Sequence, residues 1–158
     1  MNEPRLHVVL YQPQIPQNTG NIGRSCVALG AKLWLVKPLG FQVDEKSVRR
    51  AGLDYWQHLD WELVEDWRDL LDRMGRRRMW LLTKHASREY TDAAFQPGDA
   101  LVFGSESDGL PVSIRDEHAA NCLRVPMDER VRSLNLSAAM ALVAYEARRQ
   151  MVASGSWA

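Results

Sequence analysis

Residues Ala100 to Pro111 read ALVFGSESDGLP. Ala100 to Phe103 form an apolar run of strand length that passes directly into a loop carrying Gly104 and Gly109. Pro111 suits the start of a helix, which the sequence predicts over Val112 to His118. A strand, a glycine-rich loop and a helix in that order place ligand-binding backbone at the carboxyl edge of a sheet, where open α/β folds take their ligands. The two glycines give the loop backbone freedom, and Glu106 offers an acceptor for ribose hydroxyls or a brace for a neighbouring loop.

Downstream, LRVPMDERVRSLNLSAAMALVAY (Leu123 to Tyr145) repeats the pattern. A short strand (Leu123, Val125) and a polar loop (Pro126 to Ser133) lead to a helix whose apolar residues Leu136, Met140, Val143, Ala144 and Ala147 recur at three- and four-residue steps. Ser133 or Asn135 caps that helix. The amides of Ser133, Leu134 and Asn135 lie at its start, where unpaired N–H groups and the helix dipole favour a polar or anionic ligand. A well-capped terminal helix packed on a sheet accounts for the same residues. The tail from Val152 to Ala158 is expected to fray.

Upstream, the β-branched run Leu6 to Tyr11 is a buried strand ended by Pro13 and Pro16. In NTGNIGRSCVALG, Asn18 or Thr19 is the expected cap of a helix carrying Ile22, Cys26, Val27 and Leu29, and Gly30 is its stop. Gly20 and Gly23 allow close approach of backbone or phosphate, and Arg24, one turn in, has a surface salt bridge as its ordinary explanation. Lys32 to Val36 is a second strand, and Asp44 to Ala51 a short helix with basic Lys46, Arg49 and Arg50 beside the aromatic Tyr55 and Trp56. Then come a strand at Trp61 to Val64, an amphipathic helix at Asp66 to Met74, a basic turn at Arg76 to Arg78 and a strand at Met79 to Thr83. Strands and helices that alternate throughout predict one α/β domain over residues 1–158, built on a mostly parallel sheet flanked by helices.

Composition bounds the function. With 158 residues, 46% of them hydrophobic, the chain suffices for one sizeable core. Twenty basic residues balance twenty acidic ones, so a polyanion must be met by local clusters. Cys26 and Cys122 form no CxxC pair and the four histidines have no ligand spacing, which argues against a metal site or a disulfide scaffold. No apolar stretch is long enough for a secretion signal or a membrane span, so a cytoplasmic protein is expected.

NTGNIGR, FGSESDGLP and RVPM…SLNLSAAMALVAYEARR, in that order and spacing, resemble the three motifs of the SPOUT superfamily of RNA 2′-O-methyltransferases. The KPLGF…DEKSVRRAGLDYW block is similar to the small stand-alone members that methylate the ribose of the tRNA wobble nucleotide, cytidine or modified uridine, leucine tRNAs among their substrates. The resemblance implies a C-terminal deep trefoil knot, a rare exception to unknotted topology. It implies S-adenosylmethionine, held by Leu81, Thr83, Gly104, Glu106, Gly109, Val125, Met127, Ser133, Leu134 and Asn135, with no metal. It also implies Arg24 and Tyr145 as catalytic residues, and a homodimer packed through the first and last helices with active sites drawn from both chains. Arg24, Arg49 and Arg50 are expected RNA contacts, Asn18 and Arg132 are candidates for RNA or cross-subunit contacts, and Arg76 to Arg78 are further phosphate candidates. Since a guanidinium stays protonated near neutrality, Arg24 is expected to hold a substrate phosphate and stabilise oxyanion charge while a phosphate oxygen or water takes the proton. Two rivals stand beside this: a non-catalytic RNA-binding module of the same fold, and an NAD-linked α/β enzyme, which the absence of a dinucleotide glycine fingerprint disfavours.

Overall fold

The computed structural model describes residues 3–43 and 54–157. Six strands form one sheet: β1 (Leu6–Tyr11), β2 (Lys32–Val36), β3 (Trp61–Val64), β4 (Met79–Leu82), β5 (Asp99–Phe103) and β6 (Cys122–Leu123). Their order is β3-β2-β1-β5-β4-β6 and every pairing is parallel. The four helices are α1 (Pro16–Leu29), α2 (Trp67–Met74), α3 (Val112–Glu117) and α4 (Leu136–Ala153), and a 3₁₀ turn covers Asp54–His58.

Alternation along the strands divides the core into two layers. Leu6, Val8 and Leu10 of β1 and Leu101 and Phe103 of β5 pack with Ile22 and Cys26 of α1 and with Met140, Val143, Ala144 and Ala147 of α4. Val9, Val36, Leu81, Ala100 and Val102 point the other way, onto Leu70 and Met74 of α2 and Ile114 of α3. Thus α1 and α4 share one face of the sheet and α2 and α3 the other. The chain winds outward from β1 to β3, then crosses to β4 on the far side of β5. The sheet therefore has a topological switch between β1 and β5, the kind of place where open α/β folds take ligands at the carboxyl ends of their strands.

Helix ends follow local chemistry, with two departures from expectation. Asp66 caps α2 by accepting from the Asp69 amide at 2.8 Å, and Gly30 closes α1 in the left-handed conformation, φ 65°. Helix α1, however, starts at Pro16 with Ile15 as its cap residue, so Asn18 and Thr19 lie inside its first turn. Proline's fixed φ favours the first helical position, and Ile15 has no side-chain acceptor of its own. The C-terminus also differs from the frayed tail expected: α4 continues to Ala153, and the amides of Ser156 and Trp157 both donate to the Met151 carbonyl, at 2.8 and 3.2 Å. The Trp157 ring packs on the core, with the guanidinium groups of Arg5 and Arg148 at 5.7 and 5.5 Å from its centroid. The expected helix at Asp44 to Ala51 lies outside the described residues.

Candidate active site

A cleft of about 650 Å³ opens at the carboxyl ends of β4 and β5. Leu82, Phe103, Leu110, Val125, Leu134 and Leu136 give it apolar lining, and the turns at Thr83–His85, Gly104–Gly109 and Arg132–Asn135 give it polar groups. Each turn is fixed by its own backbone. In the β5 turn the Gly109 amide donates to the Ser105 carbonyl at 3.0 Å, and Gly109 takes φ +66°, which a side chain disfavours. A Cβ on Gly104 would stand 2.2 Å from the Gly109 carbonyl carbon, so only glycine lets the turn fold back on itself. After β4, the Thr83 amide donates to Leu123 at 2.9 Å, and Thr83 Oγ1 accepts from the His85 amide at 3.2 Å.

Between the alternatives for the α4 cap, Asn135 is the residue used: its Oδ1 accepts from the amides of Ser137 (3.0 Å) and Ala138 (3.2 Å). Its Nδ2 is left to donate to Asn18 Oδ1 at 3.1 Å, and Asn18 Nδ2 donates in turn to Glu106 Oε2 at 3.2 Å. Glu106 also accepts from the amides of Gln14 and Ile15, each at 2.8 Å. The carboxylate thus caps α1 from another part of the chain, supplying the acceptor that Ile15 lacks, at the end of the helix where negative charge is favoured. Gln14 Oε1 closes the circuit by accepting from Ser107 N (2.9 Å) and Oγ (2.8 Å). All three motif segments are joined by this one network. Of the two roles open to Glu106, bracing a neighbouring loop is the one its hydrogen bonds fill.

Of the predicted residues, Thr83, Gly104, Glu106, Gly109, Val125, Met127, Ser133, Leu134, Asn135, Asn18 and Arg132 all line the cleft. Leu81 does not: it is fully buried on the α2 side, and its neighbour Leu82 faces the cleft instead, because a strand alternates at every residue. Arg24 and Tyr145 also stand off the cleft. Arg24 is exposed on α1 with its guanidinium 5.9 Å from the Tyr55 ring centroid, and Tyr145 is 47% exposed on α4. Gly20 and Gly23 are buried against the 54–59 segment rather than open to phosphate: Tyr55 Oη donates to the Gly20 carbonyl, and a Cβ on Gly23 would lie 3.0 Å from the Trp56 ring. Arg49 and Arg50 lie outside the described residues.

Two of the basic-turn arginines are committed elsewhere. Arg78 forms a paired contact with the buried Asp99 carboxylate at 3.0 and 2.7 Å, which Trp80 Nε1 also meets at 2.9 Å, and Arg77 pairs with Glu3 at 3.0 Å. Both sit at the opening residues of the strands, the sheet edge opposite the cleft. Arg130 grips Asp128 at 2.8 Å and holds its carboxyl below the usual carboxylate range. Cleft residues that the sequence does not single out include Ile15, Leu82, Lys84, His85, Phe103 and Leu110. Leu82 and Phe103 had a usable signal, as the last residues of their strands; Lys84 and His85 had only their place after β4. Among the described residues no group of three or more His, Cys, Asp or Glu is arranged to hold a metal, and no helix is long and apolar enough to cross a membrane.

The model of the SpoU rRNA Methylase family matches residues 5–145, the span that holds the first two motif segments, the third as far as Tyr145, and the network joining them. The chain belongs to this SpoU family. A tRNA (cytidine(34)-2′-O)-methyltransferase of Methylovorus glucosotrophus is 47% identical over 144 residues, 90% of this chain and 94% of the relative. A solved structure described as giving insight into 2-OH methylation of C/U34 on tRNA is 43% identical, covers 95% of this chain and 98% of its own, and superposes with a TM-score of 0.86. More distant is the SpoU methyltransferase AviRb of Streptomyces viridochromogenes in complex with the cofactor AdoMet, at 28% identity and a TM-score of 0.79 over 96% of this chain and 60% of that one. The near full-length relative carries the name of a tRNA enzyme.

Proposed function

We propose that this SpoU protein transfers a methyl group from S-adenosylmethionine to the ribose 2′-hydroxyl of the wobble nucleotide of tRNA, cytidine or modified uridine, leucine tRNAs among its substrates, in the cytoplasm. The observation that carries the proposal is a relative of that activity, 47% identical along nearly its whole length. The cleft fits the cofactor: apolar side chains suit the faces of an adenine, and the tight turn fixed by Gly104 and Gly109 brings backbone polar groups to its edge. When bound, the cofactor supplies an electrophilic methyl on a sulfonium, which the ribose oxygen takes as the C–S bond breaks. The protein's part is alignment and charge stabilisation. Asn135, Asn18 and Glu106 hold the three walls of the cleft in register. Arg24 holds a substrate phosphate and stabilises developing oxyanion charge, and the hydroxyl proton passes to a phosphate oxygen or water.

Arg24 and Tyr145 lie outside the cleft of their own chain, which supports a homodimer in which a second copy brings them to it. The exposed residues fit that arrangement. On α4, Ala138, Leu142, Tyr145 and Val152 form an exposed stripe at helical spacing, with Leu142 and Tyr145 each nearly half exposed, and Gln17, Asn21, Arg24 and Ala28 form another on the neighbouring α1. The proposal includes threading of the segment after β6 as a trefoil knot. Incubating the protein with methyl-labelled S-adenosylmethionine and tRNA lacking ribose methylation is expected to place label in 2′-O-methylcytidine or a 2′-O-methyluridine-type nucleoside. Label confined to bases, or cofactor binding with no transfer to tRNA, would remove the proposal.

A further inference from the structure

Many cationic side chains in the described part of the molecule are already engaged in ion pairs. Lys32, Lys37, Arg73, Arg77, Arg78 and Arg130 each lie within 4.0 Å of a carboxylate. Three cation-capable residues share the cleft instead: Lys84 and His85 from the turn after β4, and Arg132 from the loop before α4. All three are exposed, and among the described residues none has a side-chain hydrogen bond or ion pair. Their placement is built. The turn that carries Lys84 and His85 is closed by the Ala86 amide donating to the Thr83 carbonyl at 3.3 Å and by the His85 amide donating to Thr83 Oγ1 at 3.2 Å. On the acidic side, Glu106 is taken up by its three donors, which leaves Asp108 as the acidic side chain of the cleft without such a commitment. Lys84 and Arg132 balance Glu106 and Asp108 in formal charge, but the cations are the charged groups of the cleft that, with Asp108, keep their side chains uncommitted.

We propose that Lys84, His85 and Arg132 form an anion subsite that takes a backbone phosphate of the RNA beside the ribose to be methylated; this rests on the tRNA methyltransferase reading above. The other anion available to this cleft is the carboxylate of the cofactor's amino-acid portion. Charge decides between them. S-adenosylmethionine carries an ammonium and a sulfonium against one carboxylate, so its net charge is already positive and two uncommitted protein cations are not called for by it. A nucleotide brings uncompensated phosphates, and the 3′-phosphate is attached to the carbon next to the one bearing the reacting hydroxyl. Lys84 and Arg132 supply charge from two sides of the cleft, and His85 supplies an imidazole N–H.

The test uses the full-length protein and an anticodon stem–loop RNA, with Kd measured across a range of salt concentrations for the wild type, Lys84→Ala, Arg132→Ala and the double variant. S-adenosylhomocysteine affinity and melting temperature are measured alongside. The double variant is expected to reduce the slope of log Kd against log salt by about 0.7–0.9, the contribution of one phosphate, and each single substitution by part of that, with cofactor affinity and melting temperature unchanged. His85→Gln, which keeps an N–H donor, is expected to bind RNA more tightly than His85→Ala. A double variant with the wild-type slope would overturn the subsite, and so would a loss confined to cofactor affinity, which would assign these cations to the cofactor's carboxylate. Wild-type protein that binds the RNA with full salt sensitivity yet transfers no methyl group would remove the enzymatic reading and leave the subsite standing.

Discussion

Glu106 accepts hydrogen bonds from two backbone amides and one side-chain amide. Replacing it with Gln turns one acceptor oxygen into a donor that faces those N–H groups. The expected result is a loss of about 1–3 kcal/mol, read as a lower denaturation midpoint, with the start of α1 displaced from the cleft. This role was only half legible in the sequence. A glutamate in a glycine-rich loop reads as a ligand contact, and nothing local indicates that its partners lie 91 and 92 residues earlier in the chain. For the same reason Asn18 reads as a helix cap when its side chain serves Glu106 and Asn135. His7 is a second residue whose chemistry comes from its surroundings. It is 1% exposed, accepts from Trp34 Nε1 at 3.0 Å, and is lowered from 6.5 to about 4 by burial first and then by Arg77 and Lys32. Between those values the unfolded chain binds a proton that the folded protein refuses, so stability falls as pH drops from 6.5 to about 4. The loss should approach about 3 kcal/mol. Denaturation curves at several pH values in that range should show the decline, and His7→Gln, which keeps an acceptor for Trp34, should flatten it.

At the scale of elements, the strands were the most legible part. Apolar runs bounded by Pro and Gly locate β1, β2, β4 and β5 to within a residue, because strands buried on both faces must be apolar throughout. That property hides their phase. With Leu81 and Leu82 equally apolar, composition cannot say which faces the cleft; Leu81, the residue expected there, is buried on the other face. Helix starts were less legible where the cap is distant, as for α1 with its remote carboxylate, whereas α2 is capped by Asp66 itself, the residue at which the expected helix begins. The turn after β5 was legible through its glycines. Gly104→Ala would force a Cβ to within 2.2 Å of backbone, and relieving that overlap should cost about 1–3 kcal/mol. Calorimetric titration is expected to show cofactor affinity reduced by roughly 10- to 100-fold in a protein that still folds. Gly23→Ala meets side chains rather than backbone, the edge of the Trp56 ring at 3.0 Å and Leu59 at 3.2 Å, and should be milder.

For the whole molecule, the sheet order was not legible, because alternation of strands and helices fixes a parallel sheet but not the crossover from β3 to β4 that creates the crevice. The three motifs were legible as chemistry; only the fold shows that they meet in one network while Arg24 and Tyr145 stand apart from it. The proposed composite dimer makes a prediction about mixtures. Arg24→Ala and Asn135→Ala proteins should each be inactive alone. Unfolded, mixed and refolded together, they should recover about a quarter of wild-type activity, since half of a statistical mixture is mixed dimer with one intact site. No recovery from mixed dimers would place Arg24 and Asn135 in the same site of one chain. The central claim, methyl transfer to the wobble ribose, is tested most directly with two anticodon stem–loops that differ only in a 2′-deoxyribose at the wobble nucleotide. Both should bind, and only the one with the wobble 2′-hydroxyl should accept a methyl group; equal methylation of the two would contradict the account.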